Sequence, residues 1–260
     1  MNIKHRTKNN KQRNRDVYLS VVIPAYNEIE NLKLGVLEAV YKYLSKQVYS
    51  WELLLINDAS TDKTLNFLIK FANKKPQVRV LNESHRGKGG TVIAGVLAAK
   101  GEIVLFTDMD QATPIDQIEK LLPHFKHDDI VIGSRSGREG APLVRKAMAS
   151  GFSILRTLIL RLPYKDTQCG FKAFKYDAAK KIFERLRIYK EKSDKGASVN
   201  AGFDLEILYV ARKMGFSVEE VSVEWHHKGT ERVSAIRDSW QAFLDLLRVR
   251  VNALKGQYKV

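Results

Sequence analysis

A chain of 260 residues that is 44% hydrophobic and 28% charged is long enough to bury one substantial core and has the composition of a folded protein. A single cysteine, Cys169, excludes an internal disulfide and is expected to be a packing residue in a reducing compartment, and no apolar run approaches the roughly 18 residues that span a bilayer. The formal charge of +15 calls for an anionic partner, without choosing among nucleic acid, an acidic membrane surface and phosphate-bearing substrates.

Residues 1–16 form a basic tail: Lys4, Arg6, Lys8, Lys11, Arg13 and Arg15 precede the first acid, Asp16, and read as a solvated arm. These first residues are polar rather than signal-like, so the chain is expected to be cytoplasmic or peripheral at the cytoplasmic face of a membrane. From Tyr18 the pattern is α/β. An apolar run Leu19 to Ile23 leads to a helix from about Glu30 to Lys46, a second strand Leu53 to Ile56 and a helix from near Thr61. A strand Val78 to Leu81, a helix Lys88 to Ala99 and a strand Ile103 to Phe106 follow. Continuous apolar strands separated by helices indicate a mainly parallel sheet covered on both faces, with ligands at the carboxyl ends of the strands. The polar clusters Pro24 to Glu28, Asn57 to Asp62 and Asp108 to Asp110 stand at such ends. The second half predicts a strand Ile130 to Ile132, a helix from about Pro142 to Leu162, a short segment Gly170 to Phe174, a helix Ala201 to Lys213, a strand Val218 to Val223 and a last helix Ser234 to Lys255. Residues 17–233 are expected to form one catalytic body and 234–260 an amphipathic C-terminal helix.

Asp108-Met109-Asp110 leaves the strand Ile103 to Phe106 with two acids at alternate positions, which can point to one side. Such a pair suits Mg²⁺ or Mn²⁺, which can clamp a diphosphate leaving group, although acids spaced by one residue also occur in plain surface loops. Asp58 can accept from a base or ribose, beside a turn whose Ser60, Thr61 or Asp62 would cap the next helix in any case. Arg86-Gly87-Lys88-Gly89-Gly90 combines cations and glycines before a helix, an arrangement that can face phosphate oxygens but lacks the spacing of a Walker loop.

In this order Pro24-Ala25-Tyr26-Asn27-Glu28, Asn57-Asp58-Ala59-Ser60, Gly87-Lys88-Gly89-Gly90 and Asp108-Met109-Asp110 resemble glycosyltransferase family 2. The segments Asp166-Thr167-Gln168-Cys169-Gly170-Phe171-Lys172 and Phe203-Asp204-Leu205-Glu206-Ile207-Leu208 resemble its dolichyl-phosphate β-glucosyltransferase branch, close to the dolichyl-phosphate mannose synthases. The resemblance runs from about residue 18 to 258. It implies a GT-A fold, a mainly parallel mixed sheet flanked by helices, and inverting transfer of a hexose, glucose from UDP-glucose, to a dolichyl or undecaprenyl phosphate. Pro24, Tyr26, Glu28, Asp58, Lys88 and Asp108 are then expected at the donor, Asp58 near its base, and Asp108 and Asp110 at the metal. Mannose synthases of this group carry a metal-contacting glutamine two residues after the second acid, whereas this chain has Ala112 there and Gln111 one position earlier.

A phosphate monoester acceptor is ionised near neutral pH and needs cations more than a strong base. Arg135 matches a phosphate-binding arginine of the polyprenyl phosphate enzymes, with Arg145, Lys146 and Ser150 following, although the latter can equally be solvent-facing. Asp110, Arg135 and Asp204 are the catalytic candidates. Asp204 lies in an apolar segment, where an acid is either used or paired, and Arg212 and Lys213 are its nearest candidate partners. Phe152, Leu155, Leu158, Ile159 and Leu162, interrupted by Arg156 and Arg161, outline one amphipathic helix; Ile236, Trp240, Phe243, Leu244, Leu247, Val251 and Leu254 outline another. Core packing accounts for such stripes, and so does a lipid interface, which the corresponding helices of related enzymes occupy. The competing readings are another donor such as GDP-mannose, a soluble saccharide acceptor and, more distantly, a nucleic-acid module; stacking-aromatic repeats and zinc spacings are missing, so no nucleic acid is expected.

Overall fold

The computed structural model describes residues 15–135, 143–188, 201–226 and 235–258, without the side chains of 143–150, 201 and 235–239. Most of the basic tail therefore lies outside the described residues. Its last member, Arg15, stacks 3.3 Å over the Tyr176 ring and donates to the Lys100 carbonyl.

The first half alternates as its apolar runs predict: β1 (Leu19–Ala25), α1 (Ile29–Lys33), α2 (Val36–Leu44), β2 (Trp51–Asp58), α3 (Thr64–Ala72), β3 (Val78–Glu83), α4 (Gly87–Ala98) and β4 (Ile103–Phe106). The single helix expected from Glu30 to Lys46 is two. Gly35 stands between them at φ +79°, a left-handed conformation that closes α1 and is cheap only without a side chain. The helix expected from Thr61 starts at Thr64. Asp62 Oδ1 accepts from Thr64 N at 2.8 Å at the start of that helix, and the loop is also tied to the one after β1: Asn27 Oδ1 accepts from Thr61 N at 2.8 Å, and Thr64 Oγ1 accepts from Glu28 N at 2.8 Å.

The second half holds a short helix α5 (Ile118–Leu121) between two 3-10 turns, β5 (Ile130–Arg135), α6 (Leu143–Leu160), β6 (Lys172–Lys175), α7 (Tyr176–Phe183), α8 (Ala201–Lys213), β7 (Val218–Val223) and α9 (Ala235–Leu254). The sequence periodicity marks neither α5 nor α7. The latter is a compact amphipath whose Ala178, Ala179, Ile182 and Phe183 are buried.

All seven strands join one sheet, ordered β3-β2-β1-β4-β6-β5-β7, and β6 alone runs against its neighbours. Alternate residues feed two cores. Val22, Leu54, Ile56 and Phe106 face α4 and α7 to α9, while Val21, Ile23, Leu53 and Leu55 face α2, α3 and α5. The C-terminal helix is joined to the body: Ala242, Leu246 and Val249 of α9 are buried, and Tyr258 beyond it donates 2.7 Å to Glu206 of α8. The apolar stripe read from the sequence lies mostly on the opposite side, with Trp240, Leu247, Val251 and Leu254 exposed.

Candidate active site

Strand β4 delivers the acid pair. Met109 turns into the core, and Gln111, at φ +49°, reverses the chain so that its amide donates to the Asp108 carbonyl at 2.8 Å. Asp108 Oδ1 meets Lys88 Nζ at 2.5 Å, from the first turn of α4. Burial acts to lower the Lys88 pKa, but the carboxylates of Asp108, Asp204 and Asp110 outweigh it and hold the ammonium above its ordinary value. A cation is thus already favoured at this point.

The donor chemistry fits a hard divalent ion: two carboxylates, Asp108 and Asp110, and a buried carbonyl oxygen, Gln111 Oε1, without a hydrogen-bond partner among the described residues. Among those residues no three His, Cys, Asp or Glu side chains gather into a ready cage. A set of two carboxylates that relies on substrate phosphates for the remaining ligands is the usual way Mg²⁺ is held. Ala112, at the position of the mannose synthases' glutamine, offers only backbone: its N–H goes to Asp110 and its carbonyl to His226 N.

The glycine-rich turn keeps one of its two expected cations at the phosphate side. Lys88 faces the acids, whereas Arg86 pairs with Glu83 and gives its N–H to Asp58 Oδ1 at 2.7 Å. Asp58, expected near the base of the donor, is 2% exposed. Its second oxygen, Oδ2, lies 3.0 Å from His85 Nδ1, which also reaches the Asp58 carbonyl at 3.2 Å. His85 in turn lies beside Tyr26, the ring centroids 4.5 Å apart at 30°. The sequence reading missed His85; its only signal was a position just before the glycines. Pro24 lies within β1, and Glu28 accepts from Asn31 Nδ2 at 2.5 Å.

On the other flank a small cleft of about 60 Å³ joins Asp108, Thr113, Arg135, Gln168, Gly170 and Trp225. Arg135 is clamped by Asp166, Nε at 2.6 Å and Nη2 at 2.8 Å, and its backbone N–H goes to the same carboxylate. Desolvation lowers the Arg135 pKa, yet Asp166 more than offsets it. The guanidinium is therefore a fixed, permanent charge, 5.7 Å from the Trp225 ring, another residue the sequence reading passed over. The side chains of Arg145, Lys146 and Ser150 lie outside the described residues, on α6.

Asp204 pairs with neither Arg212 nor Lys213. Those occupy the last turn of α8, while Asp204 in its first turn meets Lys172 of β6 at 2.5 Å. Lys172 is wholly buried and also donates to the Cys169 carbonyl, which pins the 166–172 segment behind Asp108. Cys169 is a packing residue, and burial pushes its thiol pKa up. Glu206 is structural, accepting from Arg187 N, Ile188 N and the Tyr258 hydroxyl. Arg156, read as a break in the apolar stripe of α6, is buried and binds Thr167 Oγ1, Ser153 Oγ and the Tyr164 carbonyl.

Residues 20–183 match the family described as glycosyl transferase family 2. The dolichyl-phosphate β-glucosyltransferase of Trichomonas vaginalis is 34% identical over 94% of this chain and 74% of its own length. The corresponding enzyme of Dictyostelium discoideum is 33% identical over 94% and 77%, and that of Saccharomyces cerevisiae 30% identical over 96% and 79%. Among solved structures, glucosyl-3-phosphoglycerate synthase from Mycobacterium tuberculosis, in complex with Mn²⁺, UDP and phosphoglyceric acid, superposes with a TM-score of 0.62 at 20% identity, covering 91% of this chain and 79% of that one. The fold is accordingly GT-A, and the chain belongs to glycosyl transferase family 2, within the group of the dolichyl-phosphate β-glucosyltransferases.

Proposed function

We propose that the protein transfers glucose from UDP-glucose to a polyprenyl phosphate, with inversion at the sugar carbon, while lying on the cytoplasmic face of a membrane. The observation that carries this reading is the junction at Asp108, where the Lys88-lined acid pair meets the cleft holding Arg135. Asp108 and Asp110 would hold Mg²⁺ or Mn²⁺, which when bound neutralises the leaving diphosphate. Lys88 orients the same diphosphate. Arg135 presents a fixed guanidinium to the acceptor phosphate, assisted by Arg145 and Ser150, and the acceptor, already anionic, attacks without a strong base. Asp204, neutralised by Lys172, orients rather than deprotonates.

Membrane contact is supported by shape. No helix among the described residues is long and apolar enough to cross a bilayer, yet α6 and α9 pack together and expose Ile154, Leu158, Trp240 and Leu254. An apolar surface with flanking arginines suits an interface between headgroups and acyl chains.

The experiment is transfer of radiolabelled sugar from UDP-glucose, with GDP-mannose in parallel, to a short polyprenyl phosphate in detergent with Mn²⁺ or Mg²⁺. Chloroform-extractable, metal-dependent glucosyl lipid is the expected product. Transfer to a soluble saccharide alone would overturn the acceptor assignment, and product from GDP-mannose alone would overturn the donor.

A further inference from the structure

We propose that Arg156 of α6 is a positioning residue for Arg135, acting through the 164–167 segment and the Asp166 carboxylate that this segment carries. The inference rests on the reading of Arg135 as the group that takes the acceptor phosphate. Arg135 owes its orientation to Asp166, which accepts from its N, Nε and Nη2. Asp166 stands in a stretch without regular secondary structure between α6 and β6, so the guanidinium is aimed only as firmly as that stretch is held.

Two side chains grip the stretch. Glu220 of β7 accepts from the N–H groups of Lys165 at 2.8 Å and Asp166 at 2.6 Å. Arg156 takes the oxygens on either side of Asp166: Nη1 donates to Thr167 Oγ1 at 3.2 Å and Nη2 to the Tyr164 carbonyl. Nη2 also donates to Ser153 Oγ at 2.8 Å, which braces the guanidinium against its own helix. The acid meets backbone donors and the cation meets acceptors, so the segment is held from both sides in one place.

Packing does not account for Arg156. Its side chain is buried, its hydrogen bonds among the described residues all go to neutral oxygens, and Nε has no partner there. Desolvation lowers its pKa, against the weaker pull of the Glu220 and Asp166 charges. A buried cation held this way is no more stabilising than an apolar side chain of similar volume. Its distinctive property is a fork that reaches residues 153, 164 and 167 together. The same helix exposes Ile154, Leu155 and Leu158, so the element assigned to lipid contact is tied to the arginine assigned to the lipid's phosphate.

The test is steady-state kinetics with a short polyprenyl phosphate, beside metal-dependent hydrolysis of the sugar nucleotide, for Arg156→Met alone and combined with Arg135→Ala. Arg156→Met keeps an unbranched stem without donors, and is expected to raise KM for the acceptor about fivefold with kcat and donor hydrolysis within about twofold. Because Arg156 acts through Arg135, adding Arg156→Met to Arg135→Ala should change that KM by less than about 1.5-fold, whereas a merely structural contribution would multiply the two losses. Arg156→Lys is the second variant: its ammonium still serves the Tyr164 carbonyl and protects the fold but leaves Thr167 Oγ1 unheld, and KM should rise about threefold. An unaltered acceptor KM in either variant with a native melting transition, or independent losses in the double variant, would overturn the assignment of Arg156. A normal acceptor KM in Arg135→Ala alone would instead overturn the acceptor reading on which it rests.

Discussion

A Cβ placed on Gly170 would lie 2.1 Å from Asp108 Oδ2, so the carboxylate keeps its position against Lys88 only because residue 170 has no side chain. Gly170→Ala must displace Asp108. Because the Asp108 side chain is short and 37% exposed, it can swing away without disturbing the core. The unfolding midpoint is expected to stay within about 2 °C, while kcat falls by about 100-fold, the usual cost of misplacing a reacting group by about an ångström. Unchanged turnover in a folded Gly170→Ala protein would remove Asp108 from the metal and diphosphate site.

Lys88 tests the same centre from the other side. Its ammonium balances Asp108, Asp110 and Asp204, so Lys88→Met is expected to lower kcat by about 100- to 1,000-fold, the range found when one preorganised charge-stabilising donor is removed. It should also increase the rise in melting temperature that Mn²⁺ produces, because the metal no longer competes with a lysine for the carboxylates. Asp110→Ala should abolish both turnover and the Mn²⁺ shift. Since the folded-state pKa of Lys88 is raised, its ion pair contributes below the ordinary lysine value near 10.5 and is lost as pH climbs above it.

Arg135 is held by two parallel bonds to Asp166, a geometry that only a guanidinium provides. Arg135→Lys is therefore expected to behave almost like Arg135→Ala. Both should raise KM for the phosphate acceptor about tenfold or more and leave metal-dependent hydrolysis of the donor within about twofold. Equal losses in the two assays would show that Arg135 serves the donor or the fold instead.

Tyr258 closes the C-terminus onto a buried carboxylate. Burial and the neighbouring Glu206 charge raise the phenol pKa well above its usual value of about 10. A raised folded-state value means that the stabilisation is complete below pH 10 and disappears as pH rises beyond it. Tyr258→Phe deprives Glu206 of one of its donors and should cost about 1–3 kcal/mol, lowering the melting temperature by several degrees at pH 7 with kcat intact. The gap between the two proteins should shrink when melting is repeated above pH 10.

The strands of the first half were legible because each carries a short, mostly apolar run between helical stretches, and the acid pair because it closely follows one of them. Strand β6 was harder: its four residues include Lys172, which is buried in an ion pair with a residue 32 positions away, and its antiparallel placement depends on partners on both sides. His85 escaped for the same reason, since its hydrogen bonds join it to Asp58, 27 positions earlier. Arg156 misled in the opposite direction, a charge at a helical stripe that the fold turns inward to bind the 164–167 segment. In α9 the sequence carries two apolar faces, and composition alone does not say which one meets the core.

That outward face gives the last prediction. Leu158 is 73% exposed on α6 and Trp240 62% on α9, so neither contributes to the core, and Leu158→Glu and Trp240→Glu should each alter stability by no more than about 0.5 kcal/mol. If the face lies in a lipid interface, the same changes remove apolar area from the acyl boundary and add a charge facing anionic headgroups. Sedimentation with vesicles containing anionic lipid should show the double variant largely in the supernatant where the unaltered protein pellets. Transfer to a short, detergent-dispersed polyprenyl phosphate should persist, whereas transfer to a long-chain acceptor embedded in vesicles should fall about tenfold. Undiminished vesicle binding by the double variant would move membrane contact away from α6 and α9.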